Sequence, residues 1–163
     1  MAVAKRRTED TVRSDAAGGR AAYGADFYAW TLEQSAFVRE GRLNELDLHN
    51  LAEEIESLGR SEFSTLVSAY RVILVHMLKW DHQPERRTRS SVTSIETQRV
   101  DVEEELQDNP GLKPRIAEAV ERAYRRARIE AAGEMRHPKG TLPEACPYAL
   151  GEIMARPFEW PEA

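Results

Sequence analysis

The chain has 163 residues, 41% of them hydrophobic and 31% charged, with a formal net charge of −5. That length suits one domain that buries a core without metal or disulfide support, and the acidic balance excludes bulk attraction to nucleic acid or to an anionic membrane. No apolar run approaches the roughly 20 residues that span a bilayer, and a single cysteine, Cys146, forbids an intramolecular disulfide, in keeping with a cytoplasmic, reducing setting.

Residues 1–24 mix Arg, Asp, Gly and Ala without periodicity, which predicts a disordered tail ahead of a single helical domain over 25–163. The basic start is followed by no apolar core, so no secretory signal is expected. Asp26 can cap a first helix over 27–40. Phe27, Trp30, Leu32 (or Thr31), Gln34, Phe37 and Val38 show an apolar face, and Gly41 stops it.

Asp47 caps a second helical region over 48–82, the longest in the chain. Its stripe reads Leu48, Leu51, Ile55, Leu58, then Leu66, Ala69, Ile73, Met77 and Trp80, in steps of three and four. Position 62, where an apolar residue is due, holds Glu62. A straight helix of that span would be about 50 Å long at about 1.5 Å per residue, against a radius of gyration of about 15 Å for a compact domain of this size. A bend or break near Gly59 is therefore expected, with Ser61 as the cap of a restarted helix.

Gln83 to Arg89 reads as a loop fixed by Pro84. Ser90 or Ser91 then caps a third helix over 91–108, whose stripe of Val92, Ile95, Arg99, Val102 and Leu106 contains one charge. Asp108 to Leu112 is a helix-to-helix turn, and Pro114 suits the first turn of a fourth helix over 113–133. Glu118–Arg122 and Glu121–Arg125 stand i,i+4 on its outer face. Pro138, Pro143, Pro147, Pro157 and Pro161 leave room for one short helix over 147–155. Leu142, Tyr148, Leu150, Ile153, Phe158 and Trp160 are too apolar for a free tail, which predicts a strap across the bundle. No segment has strand periodicity. The expected fold is all-α, an antiparallel bundle of about four main helices with a Pro-rich C-terminal strap.

Several blocks resemble a bacterial family, the one catalogued as domain of unknown function twenty-nine and common in cyanobacteria and proteobacteria. They are Asp26-Phe-Tyr-Ala-Trp-Thr-Leu-Glu-Gln, the stretch from Leu46 to Glu62, His76-Met-Leu-Lys-Trp, Gln83-Pro-Glu-Arg and Pro143-Glu-Ala-Cys-Pro-Tyr. The resemblance covers about residues 23–161, and its most specific part is Asn50 to Glu62. It implies a small stand-alone helical protein and no activity. Relatives often carry a Trp where this chain has Ser91, so a Trp contact at the start of the third helix is not expected here.

Catalytic signatures are absent: there is no Gly-x-Ser-x-Gly, no phosphate-cradling Gly loop, no dinucleotide fingerprint and no Cys-x-x-Cys. His49 and Glu53 share a helix face at i,i+4 and are the weak metal candidates, but two ligands are too few, and an N-terminal acidic face favoured by the helix dipole is the better reading. Antiparallel pairing about the Pro84 loop brings Arg99 level with His76. A buried Arg needs an acceptor, and Glu54 and Glu62 are available if the chain folds back at Gly59. Glu54, Glu62, His76 and Arg99, with Trp80 as a wall, therefore form the candidate polar or ligand site, against the plainer reading of a core-edge histidine and a snorkelling arginine. Arg86-Arg87-Thr88-Arg89 and Arg122, Arg125, Arg126 and Arg128 could hold phosphate or an acidic partner, or simply be solvated. Nucleic acid is not favoured, because no aromatic residues interleave these charges.

Two readings of function follow. The leading one is a non-enzymatic helical interaction or adaptor protein of the bacterial cytosol, as a homodimer or with a protein partner, and without membrane, metal or cofactor. The rival is a ligand- or metal-binding bundle, or an enzyme, with its polar site between the second and third helices.

Overall fold

Asp26 opens the first helix. Its Oδ1 accepts the Ala29 N–H at 2.9 Å, satisfying one of the amide donors that a helix start leaves unpaired, and Gly41 ends the helix at a φ of 70°. In this computed structural model, which describes residues 22–138 and 140–160, that helix is α1, Phe27–Glu40. The chain continues through a 3-10 turn at Leu43–Glu45, then α2 (Leu48–His82), α3 (Arg89–Asp108), α4 (Ile116–Met135) and the short α5 (Leu150–Ala155). Further 3-10 turns at Pro84–Arg86 and Pro110–Arg115 join α2 to α3 and α3 to α4. Among the described residues there is no strand, so the fold is all-α with four long helices, as the periodicity indicates.

The chain divides between Glu54 and Ile55 into two compact units. Most of the tail expected over 1–24 lies outside the described residues. From Ala22 the first unit makes a turn in which the Ala25 and Asp26 amides donate to the Ala22 carbonyl at 2.9 and 3.0 Å. The rings of Tyr23, Phe27 and Trp30 then cluster with centroids 4.9 to 5.8 Å apart. Gln34, a polar residue on the apolar face, is buried and accepts the Asp47 amide at 2.8 Å. Asp47 in turn caps α2 by accepting the Asn50 amide at 3.2 Å.

The second unit is built on the later turns of α2. Phe63, Leu66, Val67, Tyr70, Ile73, Leu74, Met77 and Leu78 are all buried, on more than one face, so this stretch is the central helix of its unit. Val92, Ile95 and Val102 of α3 and Ala119, Ala123, Tyr124, Ala127 and Ala131 of α4 complete the same core. The short Pro84 loop makes α3 antiparallel to α2. Arg71 pairs with Glu130, and Lys79 with Glu134 at 2.5 Å, so contacts ascend together along α2 and α4 and the two run parallel.

After α4 the chain straps these helices, as its apolar prolyl composition suggests. Tyr124 Oη donates to the Pro143 carbonyl at 2.7 Å, and Arg128 Nε to the Leu142 carbonyl at 3.0 Å. Asp81 of α2 receives Tyr148 Oη at 2.8 Å and both Arg156 Nη atoms at 2.6 and 2.9 Å. Phe158 packs edge-on against Trp80 with centroids 5.4 Å apart.

Several expectations change. α2 is unbroken through Gly59, and Ser61 caps nothing: its carbonyl accepts the Thr65 hydroxyl at 3.2 Å. A single interior glycine costs only about 0.5–1 kcal/mol relative to Ala, too little to break a helix with good formers on both sides. The early stripe does not enter a core, since Leu48, Ile55 and Leu58 are 68%, 67% and 66% exposed. Thr88, not Ser90 or Ser91, caps α3: its Oγ1 accepts the Ser91 amide at 3.2 Å, which places Ser91 inside the first turn. α5 begins at Leu150 rather than 147, because Glu152 reaches back to the Ala149 amide at 2.9 Å and fixes the start there.

Candidate functional site

The polar residues that interrupt the stripes find separate partners. Arg99 turns to the strap, donating from Nε to the Ile153 carbonyl at 2.8 Å and from Nη2 to the Glu152 carbonyl at 3.2 Å, with its guanidinium 5.4 Å from the Phe158 ring centroid. Burial lowers its pKa, opposed by Glu96. His76 is half-buried among the charges of Lys79, Glu134 and Glu130. Burial holds its pKa below the ordinary value, Lys79 adds to that, and the two carboxylates oppose it. Its Nδ1 is buried without a hydrogen-bond partner among the described residues. Glu62 accepts from Asn109 Nδ2 at a long 3.5 Å. Trp80 is buried under Phe158 and the Arg87 guanidinium, which sits 5.0 Å from its ring. Glu54, in the first unit, accepts the Tyr23 hydroxyl at 2.5 Å. Arg99 and His76 are thus not bonded to each other, and the acceptors Arg99 needs are backbone carbonyls rather than a carboxylate.

His49 Nε2 and Glu53 Oε1 stand 3.5 Å apart with both side chains exposed. Among the described residues, no three His, Cys, Asp or Glu side chains gather as a metal site.

A large opening lies elsewhere in the second unit. A groove of about 900 Å³ runs between the start of α4 and the strap. Pro114, Ile116, Ala117, Val120 and Tyr124 form one wall and Ala145, Cys146 and Leu150 the other. Lys113, Glu121, Arg125 and Glu144 edge it. The α4 residues recur at steps of one, three and four, the pattern of a single helix face. That face adjoins the alanine seam Ala119–Ala123–Ala127–Ala131, which is fully buried. The bonds of Tyr124 and Arg128 to the Pro143 and Leu142 carbonyls fix where the opposite wall begins.

Chemically the groove is quiet. The Cys146 thiol donates to the Tyr148 carbonyl at 3.6 Å, and burial pushes its pKa up. A thiol that burial keeps protonated is a packing group rather than a nucleophile. Burial likewise raises Tyr124. The sequence carried one signal of this site: α4 has more apolar width than its alanine seam needs, with Ile116 and Val120 set beside it.

The family model described as Domain of unknown function DUF29 matches residues 22–159. The chain belongs to that family, in agreement with the resemblance carried by its motif blocks. No curated protein and no solved structure matches the chain.

Proposed function

We propose that this DUF29 protein works by binding, and that the groove between α4 and the strap receives an amphipathic helix of a partner protein. The observation that carries this reading is the shape and lining of the groove. Lys113 to Arg125 spans about 18 Å at about 1.5 Å per residue, some three turns, open along its length and apolar within. A helix of matching length offers anchors at i, i+3 or i+4, and i+7 to such a floor. Lys113 and Glu144 stand on the rim with no ion pair among the described residues, one charge of each sign to orient the guest. The single cysteine, held as a protonated thiol, suits the bacterial cytosol as the setting, and no described helix is long and apolar enough to cross a membrane.

Displayed libraries of short helical peptides, selected on the full chain, test this reading. Binders should carry apolar residues at that spacing and lose tenfold or more in affinity for Val120→Glu, the cost of a charge in the centre of an apolar contact. Binders without the spacing, or indifferent to V120E, would count against it. A second reading, self-association, is supported by Ile55 and Leu58, which α2 holds exposed. Light scattering of I55E/L58E beside wild type tests it, with loss of a dimer mass expected if it holds.

A further inference from the structure

Another opening of this unit is of a different kind. It is a pocket of about 380 Å³ at the corner where α2 turns into α3, lined among others by Lys79, Trp80, Arg86, Arg87, Ser91 and Glu134. Lys79 is already paired with Glu134 at 2.5 Å, so those two charges cancel locally. Arg86 makes no ion pair among the described residues. Arg87 donates from Nε to the Trp80 carbonyl at 3.0 Å and lies over the Trp80 ring, 5.0 Å from its centroid. That bond and that stacking orient the guanidinium and leave its Nη donors for a ligand. The Thr88 and Ser91 hydroxyls sit 3.0 Å apart beside it and supply further polar contacts.

We propose that this corner binds a small phosphate monoester, with Arg86 and Arg87 as its charged ligands. The charge balance favours that class. Two uncompensated guanidinium groups match a phosphate monoester, which carries about −1.5 to −2 at neutral pH, better than a single carboxylate. Arginine forks also suit tetrahedral oxyanions in paired N–H···O contacts. The volume exceeds what a bare anion fills and stands at the lower end of ordinary small-molecule pockets, about 300–1,000 Å³, which leaves room for a short organic body against the Trp80 edge. The start of α3 faces the same corner and adds a favourable dipole, but the Thr88 side chain already takes the Ser91 amide, so the guanidinium groups carry the site.

Titration calorimetry of the full chain at fixed ionic strength tests the proposal, with glycerol phosphate, inorganic phosphate and acetate as probes. Glycerol phosphate should bind saturably and several-fold more tightly than either smaller anion. Arg86→Gln, an exposed side chain whose loss leaves the core untouched, should weaken it tenfold or more, and R87Q as much. Arg126→Gln, on the outer face of α4, should leave it unchanged. No saturable binding, equal affinity for inorganic phosphate, or an equal loss in R126Q would each overturn the assignment.

Discussion

Two openings of the second unit lie on different elements, one along α4 and the strap and the other where α2 turns into α3, and they differ in kind. The groove along α4 is long, apolar and edged by charges of both signs, while the corner at Arg86–Ser91 is short, and its uncancelled charge is positive. The difference lies in what each has to satisfy. In the groove the backbone is already paired within α4, and the strap's Leu142 and Pro143 carbonyls are taken by Arg128 and Tyr124, leaving apolar area to cover. At the corner the chain changes direction, and the Arg86 guanidinium and the Arg87 Nη donors point to a ligand rather than to a partner among the described residues. One opening therefore calls for a surface and the other for a charge.

The strap lies against both, through Glu144–Leu150 at the groove and Phe158 over Trp80 at the corner, so loosening it at different points should separate them. The largest effect is expected from Leu142→Ala. This residue is 1% exposed, and its truncation should cost about 2–4 kcal/mol in urea unfolding. Peptide binding in the groove should weaken while glycerol phosphate binding is retained. Equal loss at both openings would mean that they are not independent.

Asp81→Asn comes next, removing the anchor shared by Tyr148 and Arg156, with a cost of about 1–2 kcal/mol. Burial alone would raise the Asp81 carboxyl, but the bonds from Arg156 and Tyr148 outweigh it and hold the pKa below its usual value. A depressed carboxylate contributes stability that is complete above the unfolded value of about 3.9 and lost as pH falls through the folded one. The D81N variant should therefore show a flatter acid limb in its stability profile, and an unchanged limb would remove Asp81 from the anchor.

Gly59→Ala works in the opposite direction. No atom lies within 4 Å of the position its Cβ would take, so the variant should gain about 0.5–1 kcal/mol in thermal unfolding if α2 is continuous there. A loss would indicate a break. The smallest change is expected from His76→Leu. Because burial lowers the His76 pKa, the unfolded chain binds its proton first, and stability should fall as pH drops below about 6.5 toward the folded value. H76L, which also removes the orphaned Nδ1, should flatten that window and leave both openings intact.

The helices were legible because caps and periodicity are local. Asp26 and Asp47 announce their helices, and the Glu118–Arg122 pair forms at 2.8 Å as its spacing indicates. The cap of α3 is less legible, since Thr88, Ser90 and Ser91 put three hydroxyl residues in four in competition for it. Periodicity also reports a face without reporting what covers it, so Leu48, Ile55 and Leu58 read like Leu66 and Ile73 although only the latter enter the core. The sequence points Arg99 toward Glu54 or Glu62, whereas its acceptors are the carbonyls of residues 152 and 153, and backbone acceptors leave no mark in a sequence. The groove joins residues 113–125 to 144–150, and no single window of the chain contains both walls.

The central claim, that the α4 groove seats a partner helix, is tested most directly by mapping amide chemical shifts of the full chain on titration with a selected helical peptide. The shifts should concentrate on Lys113–Arg125 and Glu144–Leu150 and vanish in V120E. A map centred on Arg86–Ser91, or one spread evenly over both openings, would contradict it.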